Sequence, residues 1–128
     1  MELTDRVQHL GKGDSSTYAT DIAKITVTCL PAGWNYKENL APITGTRYCK
    51  QRHIGYCSRG TIEFTFPQRE NTKTLVKKGD VYDINGDHVA KVVGEEDCIL
   101  VDFTCRSCIG REAAKEYTAF SESGCCDL

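Results

Sequence analysis

Eight cysteines and three histidines are the thiol and imidazole side chains of this 128-residue chain, the donors best suited to nucleophilic or transition-metal chemistry. The cysteines stand at 29, 49, 57, 98, 105, 108, 125 and 126. Side chains on a β-strand repeat every two residues. Cys49, Gln51, His53, Gly55 and Cys57 therefore share one face if that stretch is an unbroken strand. Cys29 and Cys98 lie among Val and Ile and read as buried thiols, a common setting for cysteine. Cys57 suits either role. Cys105-Arg-Ser-Cys108 has the spacing of half a zinc ribbon, but Cys125-Cys126 lacks the spacing of the other half. A redox CxxC usually opens a helix, and a helix-forming run follows this one. Structural thiols beside an oxidisable tail are the simpler reading of that cluster.

The elements that must position these groups are short. Residues 1–22 form a polar segment, with GKGDSST marking a loop. Ile25, Val27 and Cys29 alternate with Thr26 and Thr28, which predicts a strand with one buried face. The run GWNYKENLAPITG reads as a long turn-rich connection. Ile62, Phe64 and Phe66 alternate with Glu63 and Thr65, and further strands are predicted over 74–76, 81–84, 89–93 and 99–103. At least six strands are expected between 24 and 103. The turns between the later ones are KKGD, NGDH and GEED. Short strands at such spacing point to a sandwich or barrel. One helix is expected over 111–120 (REAAKEYTAF), following Gly110 and covering one end or edge of the barrel. The domain plan is thus a segment 1–22, a barrel 23–104, and a helix with a cysteine-containing tail over 105–128.

Composition narrows the function classes. Sixteen Lys and Arg against eighteen Asp and Glu leave a net charge of −2, which argues against nonspecific nucleic-acid binding. No apolar run approaches the roughly 18 residues of a membrane span. The first residues, MELTDRVQHL, carry both charges and no apolar core, so no export signal is read and a cytoplasmic protein with reduced thiols is expected. A hydrophobic fraction of 40% supports one compact core.

The stretch from 33 to 103, carried by GWNYKENLAPITG, CKQRHIGYCSRG, KKGDVYDINGDH, VAKVVG and CILVDF, resembles a small single-domain cupin. The resemblance implies an all-β, cupin-type jelly-roll barrel with a pocket among its strands, followed here by the short C-terminal helix. In the family's second motif Gly-Asp opens a strand and a His follows about nine residues later, as Gly79-Asp80 and His88 do. The first motif is altered. Counting back from Gly60, His53 fills the slot of the family's Glu, Cys49 that of the second His, and Arg47 that of the first. The resemblance therefore implies a modified metal set of Cys49, His53 and His88. One thiolate and two imidazoles suit zinc, with Cys57, Gln51 or water as a fourth ligand. Copper tolerates the same donors, and iron, nickel and manganese are further candidates.

Gln51, Cys57, Tyr56 and Trp34 are the pocket candidates, with Tyr36 beside them. Arg47, Arg52 and Arg59 would hold an anion at the mouth or simply face solvent. Asp80, Asp83 and Asp87 read as turn and solvent residues. Ser58 has no base near it in sequence, and His9 lies in the polar leader. Two function classes follow. One is a cupin binding a small molecule and a divalent metal. The other is a metal-dependent enzyme, such as a dioxygenase, isomerase or lyase, on the same scaffold. The resemblance also implies a homodimer formed through sheet edges, with a small-molecule ligand as the other partner.

Overall fold

Alternating apolar and polar side chains build two antiparallel sheets around one core. The computed structural model describes residues 2–3 and 8–105, with side chains from 9 to 104. The larger, seven-stranded sheet runs β1 (Glu2–Leu3), β3 (Gly13–Ala19), β4 (Ala23–Leu30), β10 (Cys98–Cys105), β5 (His53–Arg59) and β8 (Val81–Ile84), with β2 (Gln8–Leu10) paired to β3. The smaller sheet runs β7 (Thr72–Lys77), β6 (Thr61–Phe66) and β9 (Val89–Val93). This is an all-β jelly-roll arrangement, and β4 to β10 supply the strands expected between 24 and 103.

Strand β6 shows how the layers close. Ile62, Phe64 and Phe66 are buried while Thr61, Glu63 and Thr65 are only partly so. Each buried side chain of this size contributes about 1.5–3 kcal/mol. They meet Tyr82 and Ile84 of β8 and Leu100 of β10 in a single cluster. Gly60 turns β5 into β6 at φ 78°, a left-handed conformation that glycine adopts without strain.

Three expectations are corrected. The run at 13–19, read as loop within a polar leader, is strand β3, which pairs with β4 over Asp14↔Cys29 to Ala19↔Lys24. Its Ser and Thr side chains tolerate a sheet because a partner on each side satisfies the backbone. The face of β4 is also reversed. Thr26, Thr28 and Leu30 line the interior, and Cys29, expected in the core, is exposed. Cys98, by contrast, is fully buried. Residues 36–44, read as turn, contain two short helices, α1 (Tyr36–Asn39) and α2 (Ala41–Thr44).

The Asn35 side chain caps α1 by accepting from the Glu38 N–H at 2.9 Å. The Val92 N–H donates to the Trp34 carbonyl at 2.8 Å, and the Trp34 indole N–H donates to Leu10 at 2.7 Å. These bonds hold the segment across the barrel between β2 and β9. Among the described residues no helix is long and apolar enough to cross a membrane. The expected helix at 111–120 and the residues Cys108, Cys125 and Cys126 lie outside the described residues, as does the side chain of Cys105.

Candidate metal centre and pocket

The sequence from 49 to 57 does not form one unbroken strand. β5 begins at His53, and Cys49 instead makes a local antiparallel bridge with His88. The Cys49 N–H donates to the His88 carbonyl at 2.8 Å, and the His88 N–H returns a bond to Cys49 at 3.1 Å. Directly opposed residues in such a pair present their side chains to the same face. His53, as the first inward residue of β5, completes the group. Its Nε2 lies 3.5 Å from the Cys49 Sγ.

Both imidazoles are anchored through Nδ1. His53 Nδ1–H donates to Asp102 Oδ2 at 3.0 Å, and His88 Nδ1–H donates to the Gly86 carbonyl at 2.8 Å. Carboxylate and carbonyl accept only, so the proton on each Nδ1 is fixed and each Nε2 is left for the centre. His88 is 2% exposed, with its ring edge-on to His53 at 5.3 Å and to Phe64 at 5.6 Å. The ligating atoms of Cys49, His53 and His88 all lie within 4.8 Å of one another. Tetrahedral zinc ligands at the usual Zn–S and Zn–N lengths stand about 3.5 Å apart, so the donors fit a small tetrahedral ion.

Electrostatics tie the same groups together. Burial opposes charge on Cys49, but hydrogen bonds from His53 and His88, and from the backbone at Gln51, outweigh it and bring the thiol to about 6. Burial likewise opposes protonation of His53, yet its bonds to Asp102 and Cys49 raise it to about 10. Without metal, the pair is a thiolate beside an imidazolium at neutral pH. Tyr82 O–H donates to the other oxygen of Asp102. Burial and then the Asp102 charge push the Tyr82 phenol up, so it keeps its proton.

Asp102 and Tyr82 escaped the sequence reading. A signal for Asp102 exists, because it is a carboxylate at an inward position of the apolar strand CILVDF. Tyr82 reaches it across Gly55. The two are linked on the sheet by the register Asp102↔Gly55 and Gly55↔Tyr82. A Cβ at Gly55 would stand 2.7 Å from the Tyr82 Oη, so glycine leaves the path open.

The centre opens into a cavity of about 280 Å³. Gln51 and Trp34 line it, as does Tyr36. Two pocket candidates are corrected. Tyr56 alternates outward on β5 and is 40% exposed. Cys57 is buried behind the wall, its thiol directed at the Arg59 and Gly60 carbonyls at 3.3 and 3.6 Å, which removes it as a ligand. The arginines have other engagements. Arg52 is held bidentately by Asp83 at 2.8 and 2.6 Å, Arg59 lies 3.5 Å from Glu96, and Arg47 covers the Tyr48 ring. Asp80 accepts from the Lys77 N–H in a turn, and Ser58 donates to the Ile99 carbonyl.

No family model matches the chain, and no curated protein matches it. Solved structures do. The cupin domain of Schizosaccharomyces pombe Cnp3 is 15% identical with a TM-score of 0.54, over 90% of this chain and 70% of that one. KdgF from Halomonas sp. is 18% identical with a TM-score of 0.53, over 79% and 86%. An RmlC-like cupin from Shewanella frigidimarina is 12% identical with a TM-score of 0.54, over 87% and 89%. At these identities the likeness establishes the fold.

Proposed function

Starting from a small cupin-type barrel, we propose that this chain binds a divalent metal through Cys49, His53 and His88 and a small molecule in the adjoining cavity. The observation that carries the reading is the convergence of three ligating atoms within 4.8 Å, with both Nδ1–H groups tied down so that Nε2 is the ring nitrogen each histidine would offer a metal. Zinc suits this donor set best, and copper, iron, nickel and manganese are weaker matches. When bound, the metal would supply a Lewis acid at the pocket wall. Asp102 would hold the His53 ring in place and stabilise the donor tautomer, while Tyr82 satisfies the second carboxylate oxygen. His88, packed against Phe64, would be held rigid and dry. We also read the protein as a cytoplasmic homodimer.

The alternative, a metal-dependent cupin enzyme on a small molecule, draws support from one observation. The chain Cys49–His53–Asp102–Tyr82 links a thiol, a base, a carboxylate and a phenol through successive contacts. Tyr82 holds its proton firmly, however, which leaves no proton carrier beyond the ligand residues Cys49 and His53 themselves and favours the binding reading.

Metal content decides between presence and absence of the centre. Protein purified without a polyhistidine tag should carry close to one equivalent. His88→Ala should lose most of it and His53→Ala much of it, while Cys57→Ala should keep it. Equal content in all variants, or none in any, would falsify the centre.

A further inference from the structure

The interior wall facing the cavity from β3 and β4 carries hydroxyls where a barrel of this size usually carries aliphatic side chains. Ser15, Thr17, Thr26 and Thr28 all line the cavity. The register Ser15↔Thr28 and Thr17↔Thr26 makes them two directly opposed cross-strand pairs on neighbouring inward rungs. They form a patch about 5 Å across the strands and about 7 Å along them. Asp102 is the next residue on the Thr26 rung, so the patch adjoins the group that anchors His53.

Part of this patch faces the open cavity. Thr17 and Thr26 bond each other at 3.0 Å. Ser15 is only 6% exposed and Thr28 is half-buried, and neither side chain is hydrogen-bonded to another described residue. Because no fully buried side-chain N or O lacks a partner among the described residues, both hydroxyls open onto the cavity. A hydroxyl on a cavity wall takes its partner from water or from a ligand. Against this wall stand Trp34 and Phe64, which also line the cavity. The Trp34 N–H is committed to Leu10, so the rest of the indole is apolar surface.

The charges in the cavity are already matched. Arg52 is bound by Asp83, and Asp102 accepts from His53 and Tyr82. No further Lys, Arg, Asp or Glu is among the lining residues. A dianion would find no second cation beyond the metal, and an amine would find no free carboxylate. Hydroxyls both donate and accept, which is the pattern of a ligand's own hydroxyls. A volume of about 280 Å³ lies just under the range of drug-sized pockets, so the ligand is small. Resting on the reading of the cavity as a ligand site, we propose that the occupant is a small uncharged polyhydroxylated molecule, a polyol or monosaccharide. Its hydroxyls meet Ser15 and Thr28, and its C–H face lies on Trp34 and Phe64.

The test is calorimetric titration of the full chain, zinc-loaded and chelator-stripped, with xylitol and D-xylose as probes and succinate, phosphate and putrescine as charged counterparts. The polyols should bind and the charged probes should not. Ser15→Ala and Thr28→Val should each weaken polyol binding by about tenfold, the loss of one hydrogen bond. Thr28→Ser should retain it, as should Thr74→Val on the distant strand β7. If Thr28→Val does not fold, Ser15→Ala carries the comparison. Polyol binding that depends on these hydroxyls in a protein that takes up no zinc supports the ligand class and sinks the metal centre. Zinc uptake with no polyol binding, or tighter binding of a charged probe, overturns the ligand class and leaves the centre standing. A wall that serves buried water only would give that same blank titration.

Discussion

Cys49 and His53 share one environment in which burial disfavours charge on either group alone, while their contact favours charge on both. The consequence for stability has opposite signs. His53 rises from 6.5 to about 10, so its contribution is full below pH 6.5 and disappears as pH climbs through 10. Cys49 falls from 9.0 to about 6, so its contribution is full above pH 9 and disappears as pH drops through 6. The two slopes oppose each other between those limits, and the metal-free protein should hold a nearly level Tm there. Cys49→Ala removes one slope. Its Tm should decline as pH rises above 6.5, over a window that closes below the parent's value of about 10 because the Cys49 contribution to His53 is gone, measured by circular dichroism melts. A level profile for the variant would show that Asp102 alone does not raise His53. Asp102→Asn tests the other side of the ring. It should lower metal affinity by about 10–100-fold, read by competition with a chromophoric chelator, because the imidazole loses its orienting anion. Unchanged affinity would remove Asp102 from the centre.

Elements matter here through what they leave out as well as what they present. β5 offers His53 inward, and two residues later it offers Gly55, so the Tyr82 side chain of β8 crosses to Asp102 on β10. Gly55→Ala would drive a Cβ into the Val101 carbonyl oxygen of β10 and place it 2.7 Å from the Tyr82 Oη. We expect a destabilisation of about 1–3 kcal/mol in denaturant unfolding, the usual cost of overpacking. The displaced phenol should also free one oxygen of Asp102. A variant as stable as the parent would mean that β5 can shift away from both β10 and β8 without penalty. The bridge between Cys49 and His88 acts at the same scale. It brings two irregular segments into register and sets two of the three donors on one face.

For the whole molecule, the outer surface of the larger sheet is the informative one. Tyr56 opposes Val101 on one side and Val81 on the other, which places apolar side chains in a row running to the edge strand β8. Val81 is 78% exposed. A homodimer formed at this edge would cover the row, and sedimentation equilibrium at micromolar concentration should report twice the chain mass of 14.2 kDa. Val81→Glu should shift the equilibrium toward monomer. A monomeric parent would rule the arrangement out.

Local alternation was enough to read most strands. β6 shows Ile62, Phe64 and Phe66 separated by polar residues, and short polar turns bound its neighbours, so period and punctuation agree without help from the rest of the fold. His88, His53 and Cys49 were legible through the altered family motifs, although the strand assumed to carry two of them is broken. The face of β4 was not legible. Threonine has a methyl as well as a hydroxyl and Ile25 and Val27 are apolar, so either face could be buried, and only the closure of the smaller sheet over one side of the larger decided it. The same holds for the 13–19 stretch, whose polar side chains read as loop until β4 satisfies its backbone. Asp102 is 49 residues from His53 along the chain. No local pattern encodes that contact. It arises because β10 lies between β4 and β5, and sheet order is set by which strands can bury their faces together.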